Sequence, residues 1–226
     1  AEAARLAPPT PGAMAALERA AADGDPRVRA AAAASLVASP RREADGALRG
    51  LLAEDRWPFV RAAAAESLAG RPASAASDAT LAAALEDESF AVRRAAVHAL
   101  GEHGARAHAS AVRARLNDDD ELVEVRAEAA RTAARLCDDD ARSALTTLAR
   151  VAAQPGATRG DLALAVAATE ALGALHPGDL AERLGPLLRF ATPPGAPSRR
   201  RPPAGRARAR RRSASLPPRG SVCARA

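Results

Sequence analysis

Between residues 13 and 190 apolar side chains recur at helical spacing, and turn residues interrupt them at regular distances. Met14, Leu17 and Ala21 share one side of a segment ending at Ala22, at i, i+3 and i+7. Asp23-Gly24-Asp25 breaks it, and Pro26 opens a second helix reaching about Val37, at a position where the missing amide hydrogen has no intrahelical partner to lose. The same plan predicts helix 42–53 (Leu48, Leu51, Leu52) and a partner opening at Pro58, then a pair with Leu81 and Leu85 in its first member and Phe90 to Leu100 in its second. Helices 105–116 and 121–136 form a fourth pair, and 139–153 and 161–175 a fifth. A last first-type helix at 179–190 carries Leu180, Leu184, Leu187 and Leu188. Gly70 and Gly101 stand as helix stops after pairs two and three. The units are 13–38, 42–70, 75–103, 105–136 and 139–175, with an irregular lead-in at 1–12 and a tail at 193–226.

One phrase opens each of the first four second helices: Val28-Arg29-Ala30-Ala31, Val60-Arg61-Ala62-Ala63, Val92-Arg93-Arg94-Ala95 and Val125-Arg126-Ala127-Glu128. An aspartate stands five residues before each valine (Asp23, Asp55, Asp87, Asp120), so the unit returns at spacings of 32, 32 and 33. That is the period of a helical repeat array, in which each hairpin buries its apolar face against its neighbours. Counting from the valine, positions 0, +3, +4 and +8 share a face, with Leu36, Leu68 and Leu100 at +8 and Ala133 replacing leucine in unit four. Alanines in that stripe let helix axes approach to roughly 8 Å. The four aspartates are expected to cap helix starts, and Arg29, Arg61, Arg93 and Arg126 to pair with an acid of their own or the next unit.

Asp-x-x-x-x-Val-Arg-x-x-Ala-Ala with leucine at +8 resembles the HEAT repeat, in the short form found in bilin-lyase-like HEAT proteins. The resemblance spans residues 11 to about 190 and is sharpest in units one to three. It implies an all-α, right-handed α-solenoid of about five hairpins plus one extra helix, with the second helices lining the concave surface.

Composition narrows what such a shape can do. Apolar residues make up 48%, mostly alanine, and aromatics 2% with no tyrosine, so an aromatic-lined pocket is hard to build. Arginine supplies all 33 basic charges and lysine is absent, which is read as the coding bias of a GC-rich bacterial genome rather than a recognition signal. The tail holds ten arginines and no acid, leaving residues 1–192 with 23 basic against 27 acidic residues. The body is therefore mildly acidic, although the whole chain has a pI of about 11.0. No membrane span or signal peptide is expected, the location is expected to be cytoplasmic and the chain monomeric. Its start without methionine suggests a processed form or a fragment. Cys137 and Cys223 show no metal-type spacing, and no bridge between them is expected.

Positions +2, +6 and +10 of the second helices should face outward on the concave side. There Ala34, Glu66, Arg94, His98, Glu102, Arg131 and Arg135 do not recur from unit to unit, and the polar six of them are the candidate partner-binding ribbon. His98, His103 and His108 lie close in sequence, but His103 points away from His98 and His108 falls past Gly104 in the next unit. Some HEAT enzymes that hydroxylate a modified lysine hold iron through repeated His-Glu pairs; no such dipeptide occurs here, so no metal or cofactor is expected. No nucleotide or nucleophile motif is present. The tail, rich in arginine and proline, should be disordered. It suits either a tether to nucleic acid or another acidic surface, or a frame-shifted, non-native reading. The leading expectation is a non-enzymatic scaffold that binds another protein; a bilin-lyase-like chromophore handler is the alternative.

Overall fold

The computed structural model describes residues 11–39 and 42–175. They form ten α-helices: α1 Pro11–Ala20, α2 Pro26–Leu36, α3 Glu43–Glu54, α4 Pro58–Ala69, α5 Ala75–Ala83, α6 Phe90–His103, α7 Ala109–Asn117, α8 Val123–Arg135, α9 Arg142–Val151 and α10 Arg159–Leu175. No strand occurs among the described residues. The helices pair as successive antiparallel hairpins, and α2, α4, α6, α8 and α10 pack on one another in a continuous row. The first-type helices pack on their own partners and touch one another far less. The second helices are therefore the closely packed inner layer, and the outer layer is splayed.

Burial follows the repeat phrase. Val60, Val92 and Val125 are fully buried, as are Leu68, Leu100 and the +4 alanines Ala64, Ala96 and Ala129. Val28 departs from this at 38% exposed, because no described unit packs on its outer side. Trp57, at the turn before α4, is also exposed, its ring beside Phe59 and under the Arg56 guanidinium at 5.3 Å. A core of alanine, valine and leucine fills tightly spaced helices without it.

Several boundaries move. Pro11 and Gly12, read as lead-in, belong to α1. α7 and α9 begin later than expected, because the short 3-10 turns Arg106–His108 and Asp139–Ala141 precede them. Gly101 is not a stop: α6 runs on to His103 and ends at Gly104, whose φ of 63° is left-handed. Gly101 serves close approach instead, since a Cβ there would lie 2.9 Å from Thr132 Oγ1 on α8. Cys137 is disulfide-bonded, against expectation; Cys223, helix 179–190 and the tail lie outside the described residues.

Candidate functional site

The repeated arginines form a ladder at the N-terminal ends of the second helices. Arg29 donates through Nε and Nη2 to Asp55 of the next unit, at 2.6 and 3.0 Å. Arg61 does the same to Asp87 at 2.7 and 2.8 Å, and Arg93 to Glu121 at 2.6 Å through both nitrogens. Each arginine also donates Nη1 to a carbonyl of its own unit: Asp23, Asp55 and Asp87 respectively. Planar guanidinium and carboxylate match in two parallel bonds, which sets the offset between hairpins as well as holding them. The bond from Arg29 holds the Asp55 carboxyl below its ordinary range. Burial pushes Glu121 the other way, yet the bond from Arg93 and the Leu122 N–H keep its net shift downward.

Two corrections follow. The aspartates do not cap the first helical turn: Asp55 and Asp87 accept the N–H of Trp57 and Ser89, the residues at the N-cap, while in unit one the cap of α2 is Asp25 and Asp23 accepts its N–H. Asp120 takes no part in the ladder; Glu121, with its side chain 1% exposed, is the rung. Unit four has one extra residue before its valine, and the longer glutamate, one position later, reaches Arg93. Arg126 turns back to Asp119 and the Leu116 carbonyl of its own unit, since Pro155-Gly156-Ala157 offers no acid at the matching place.

A second set of ties, not anticipated, stands at the opposite helix ends. Arg71 pairs with Asp45 and donates to the Leu36 carbonyl at 3.1 Å. Thirty-two residues on, His103 sets Nδ1 against Asp78 at 2.6 Å and Nε2 against the Leu68 carbonyl at 2.8 Å. These carbonyls at helix C-termini, which already accept the backbone N–H of Ser39 and Arg71, thus gain a second partner from the following unit. His103 is a buried structural residue, and no described group of three or more His, Cys, Asp and Glu could hold a metal ion.

The candidate ribbon is not a loose set of solvated side chains. Glu128 stands at its centre, where the other units carry alanine. It accepts from Arg135 at 3.0 Å and Arg131 at 3.4 Å, and lies 3.1 Å from His98 Nδ1. Arg135 also approaches Glu102 at 3.6 Å, and Arg131 approaches Glu170 of α10 at 3.8 Å. Burial opposes the charge of Glu128, but the bonds from His98 and Arg135 keep its carboxyl below the usual range. His98, Glu102, Arg131 and Arg135 are thereby brought together, while Glu66 stands exposed on α4, away from them. Arg94 lines a neighbouring groove of about 570 Å3 between α6, α8 and α10, together with Glu128, Arg131 and Arg159. Glu128 is not among the sequence-predicted site residues, although its interruption of the repeat phrase marks it; Arg159 and Glu170 carry no such mark, because unit five lacks the phrase.

Stacked helical hairpins with an inner layer of second helices define an α-solenoid. The sequence matches the family model described as HEAT repeats over residues 2–69 and 77–167, and the chain belongs to that family. No curated protein sequence matches it. Among solved structures it is similar to the complex of CpcE and CpcF of phycocyanin lyase from Nostoc sp., at 20% identity and TM-score 0.62, covering 84% of this chain and 74% of that one. It is also similar to an engineered protein, at 19% identity and TM-score 0.54, covering 79% and 85%. Human deoxyhypusine hydroxylase in complex with glycerol fits more loosely, at 18% identity and TM-score 0.44, covering 72% and 74%. At these identities the first two likenesses speak for the fold alone.

Proposed function

We propose that this protein is a non-enzymatic scaffold that binds another protein along its concave layer, through the ribbon of Glu66, Arg94, His98, Glu102, Arg131 and Arg135. The observation that carries this reading is the convergence of non-repeating polar side chains from α6, α8 and α10 around Glu128. Stacking accounts for the residues that recur; it does not call for this charge cluster on the inner layer. Membership in a family whose repeats build extended interaction surfaces supports the reading, and the similar phycocyanin-lyase structure is itself a complex, of CpcE and CpcF. Arg94→Glu combined with Arg131→Glu is expected to leave far-UV circular dichroism unchanged and to weaken capture of the native partner in affinity purification. An unaltered capture profile would remove the ribbon from the interface.

The phycocyanin-lyase likeness keeps one enzymatic reading in view. Against it, the described aromatics Trp57, Phe59 and Phe90 stand exposed at second-helix starts and none lines the groove, so a flat pigment would find no ring to stack on. Incubation with a free bilin is expected to give no shift in visible absorbance, and a shift would favour the lyase reading.

A further inference from the structure

The groove beside Arg94 shares Glu128 and Arg131 with the ion-paired cluster, and adds charged groups that the cluster does not use. Arg94 on α6 and Arg159 at the start of α10 line it, and neither makes an ion pair or side-chain hydrogen bond with a described residue. Every other arginine on the inner layer of α8 is neutralised by Glu128, Glu102 or Glu170. Between the two free guanidiniums lies apolar surface from Leu122, Val123 and Ala163, and Leu122 is among the most exposed large hydrophobic residues of the described chain. The floor is firm: a Cβ on Gly160 would sit 3.3 Å from Val123, so the starts of α8 and α10 already touch. Two acids, Glu124 and Glu128, line the groove against three arginines, Arg94, Arg131 and Arg159, and leave it positive by one charge, in a body that carries more acid than base.

We infer that this groove receives a segment of the partner protein that carries carboxylates on either side of an apolar side chain, with Arg94 and Arg159 pairing the carboxylates and Leu122 and Val123 covering the apolar group. The inference rests on the scaffold reading and adds the chemistry of the partner. Two unpaired arginines with an apolar patch between them match such a segment in charge and in polarity. Phosphate-rich nucleic acid calls for a longer run of cations than this acidic body supplies.

The test uses the full chain and a fluorescein-labelled amphipathic peptide with a leucine stripe flanked by glutamates, followed by anisotropy. Two control peptides replace the glutamates with lysine or the leucines with serine. The glutamate–leucine peptide is expected to bind and both controls to fail. Arg159→Glu and Leu122→Asp are each expected to weaken binding about tenfold, a step that one lost charged or apolar contact supplies. Both positions are exposed, and aspartate is a favoured N-cap where Leu122 stands, so helicity should persist. Absence of binding, equal binding of the lysine peptide, or indifference to both substitutions would overturn the inference. So would tighter binding and competition by a single-stranded oligonucleotide. If Arg94→Glu with Arg131→Glu abolishes capture of the native partner while Arg159→Glu and Leu122→Asp do not, the scaffold reading stands and the groove assignment falls.

Discussion

Glu121 and Asp120 are neighbours with opposite expectations. Glu121 is buried and bonded twice to Arg93, whereas Asp120 is exposed. Removing one member of a buried pair strands the other charge, so Glu121→Ala should cost about 3 kcal/mol, while Asp120→Ala should stay within about 0.5 kcal/mol. Urea unfolding followed by circular dichroism distinguishes them. Acid titration tests the same bonds together. Asp55, Glu121 and Glu128 hold their protons less tightly when folded than when unfolded. The stability they contribute is therefore present above the ordinary carboxylate range of about 4 and lost as pH falls through their lower folded values. Asp138, whose carboxyl burial pushes upward, opposes this trend in sign. The melting temperature is expected to fall steadily below pH ~4, and a flat calorimetric profile there would show the clamps to be inert. The sequence made the arginines visible because they recur. It hid which acid they meet, since an added residue between repeats can be absorbed by a longer side chain one place along.

At the scale of the helix, the repeat period made the hairpins, their order and their buried stripe readable, because a 3.6-residue spacing and a fixed phrase report directly on which face is covered. The ends were less readable. A 3-10 turn and an α-helix use the same apolar spacing over three residues, which is why α7 and α9 begin late. Gly101 shows the same ambiguity, since one glycine signature serves both for stopping a helix and for letting another come close. Its replacement by alanine should press on Thr132 and destabilise by about 1–3 kcal/mol. Gly50, in the exposed interior of α3 with nothing within 4 Å, is the control; Gly50→Ala should stabilise by about 0.5–1 kcal/mol. Thermal melts of the two variants are expected to move in opposite directions.

At the scale of the molecule, the main contacts between described hairpins run to the neighbouring hairpin, so stability is approximately a sum of units and junctions. The junctions are unequal. Arginine–acid clamps join units one to two, two to three and three to four, but Arg126 has no acid to meet in unit five. Amide hydrogen exchange is therefore expected to be slowest in α4, α6 and α8, and faster in α2 and in α9 and α10; uniform protection along the array would contradict this. The candidate ribbon was partly legible at this scale, because side chains that fail to recur stand out against a periodic background. Its centre was not, since what gathers around Glu128 comes from three units and only the folded stack brings them together.

The rung at Glu121 also bears on how such a protein could be lengthened. An arginine and its acid are 26 residues apart where the repeat is 32 long, and 28 apart where it is 33 long and the acid is glutamate. Spacing and acid identity together form a splice code. A tandem copy of residues 58–89 carries both halves of a fastening at the shorter pitch, so a chain extended by that block should gain one more hairpin with no retailoring at either seam.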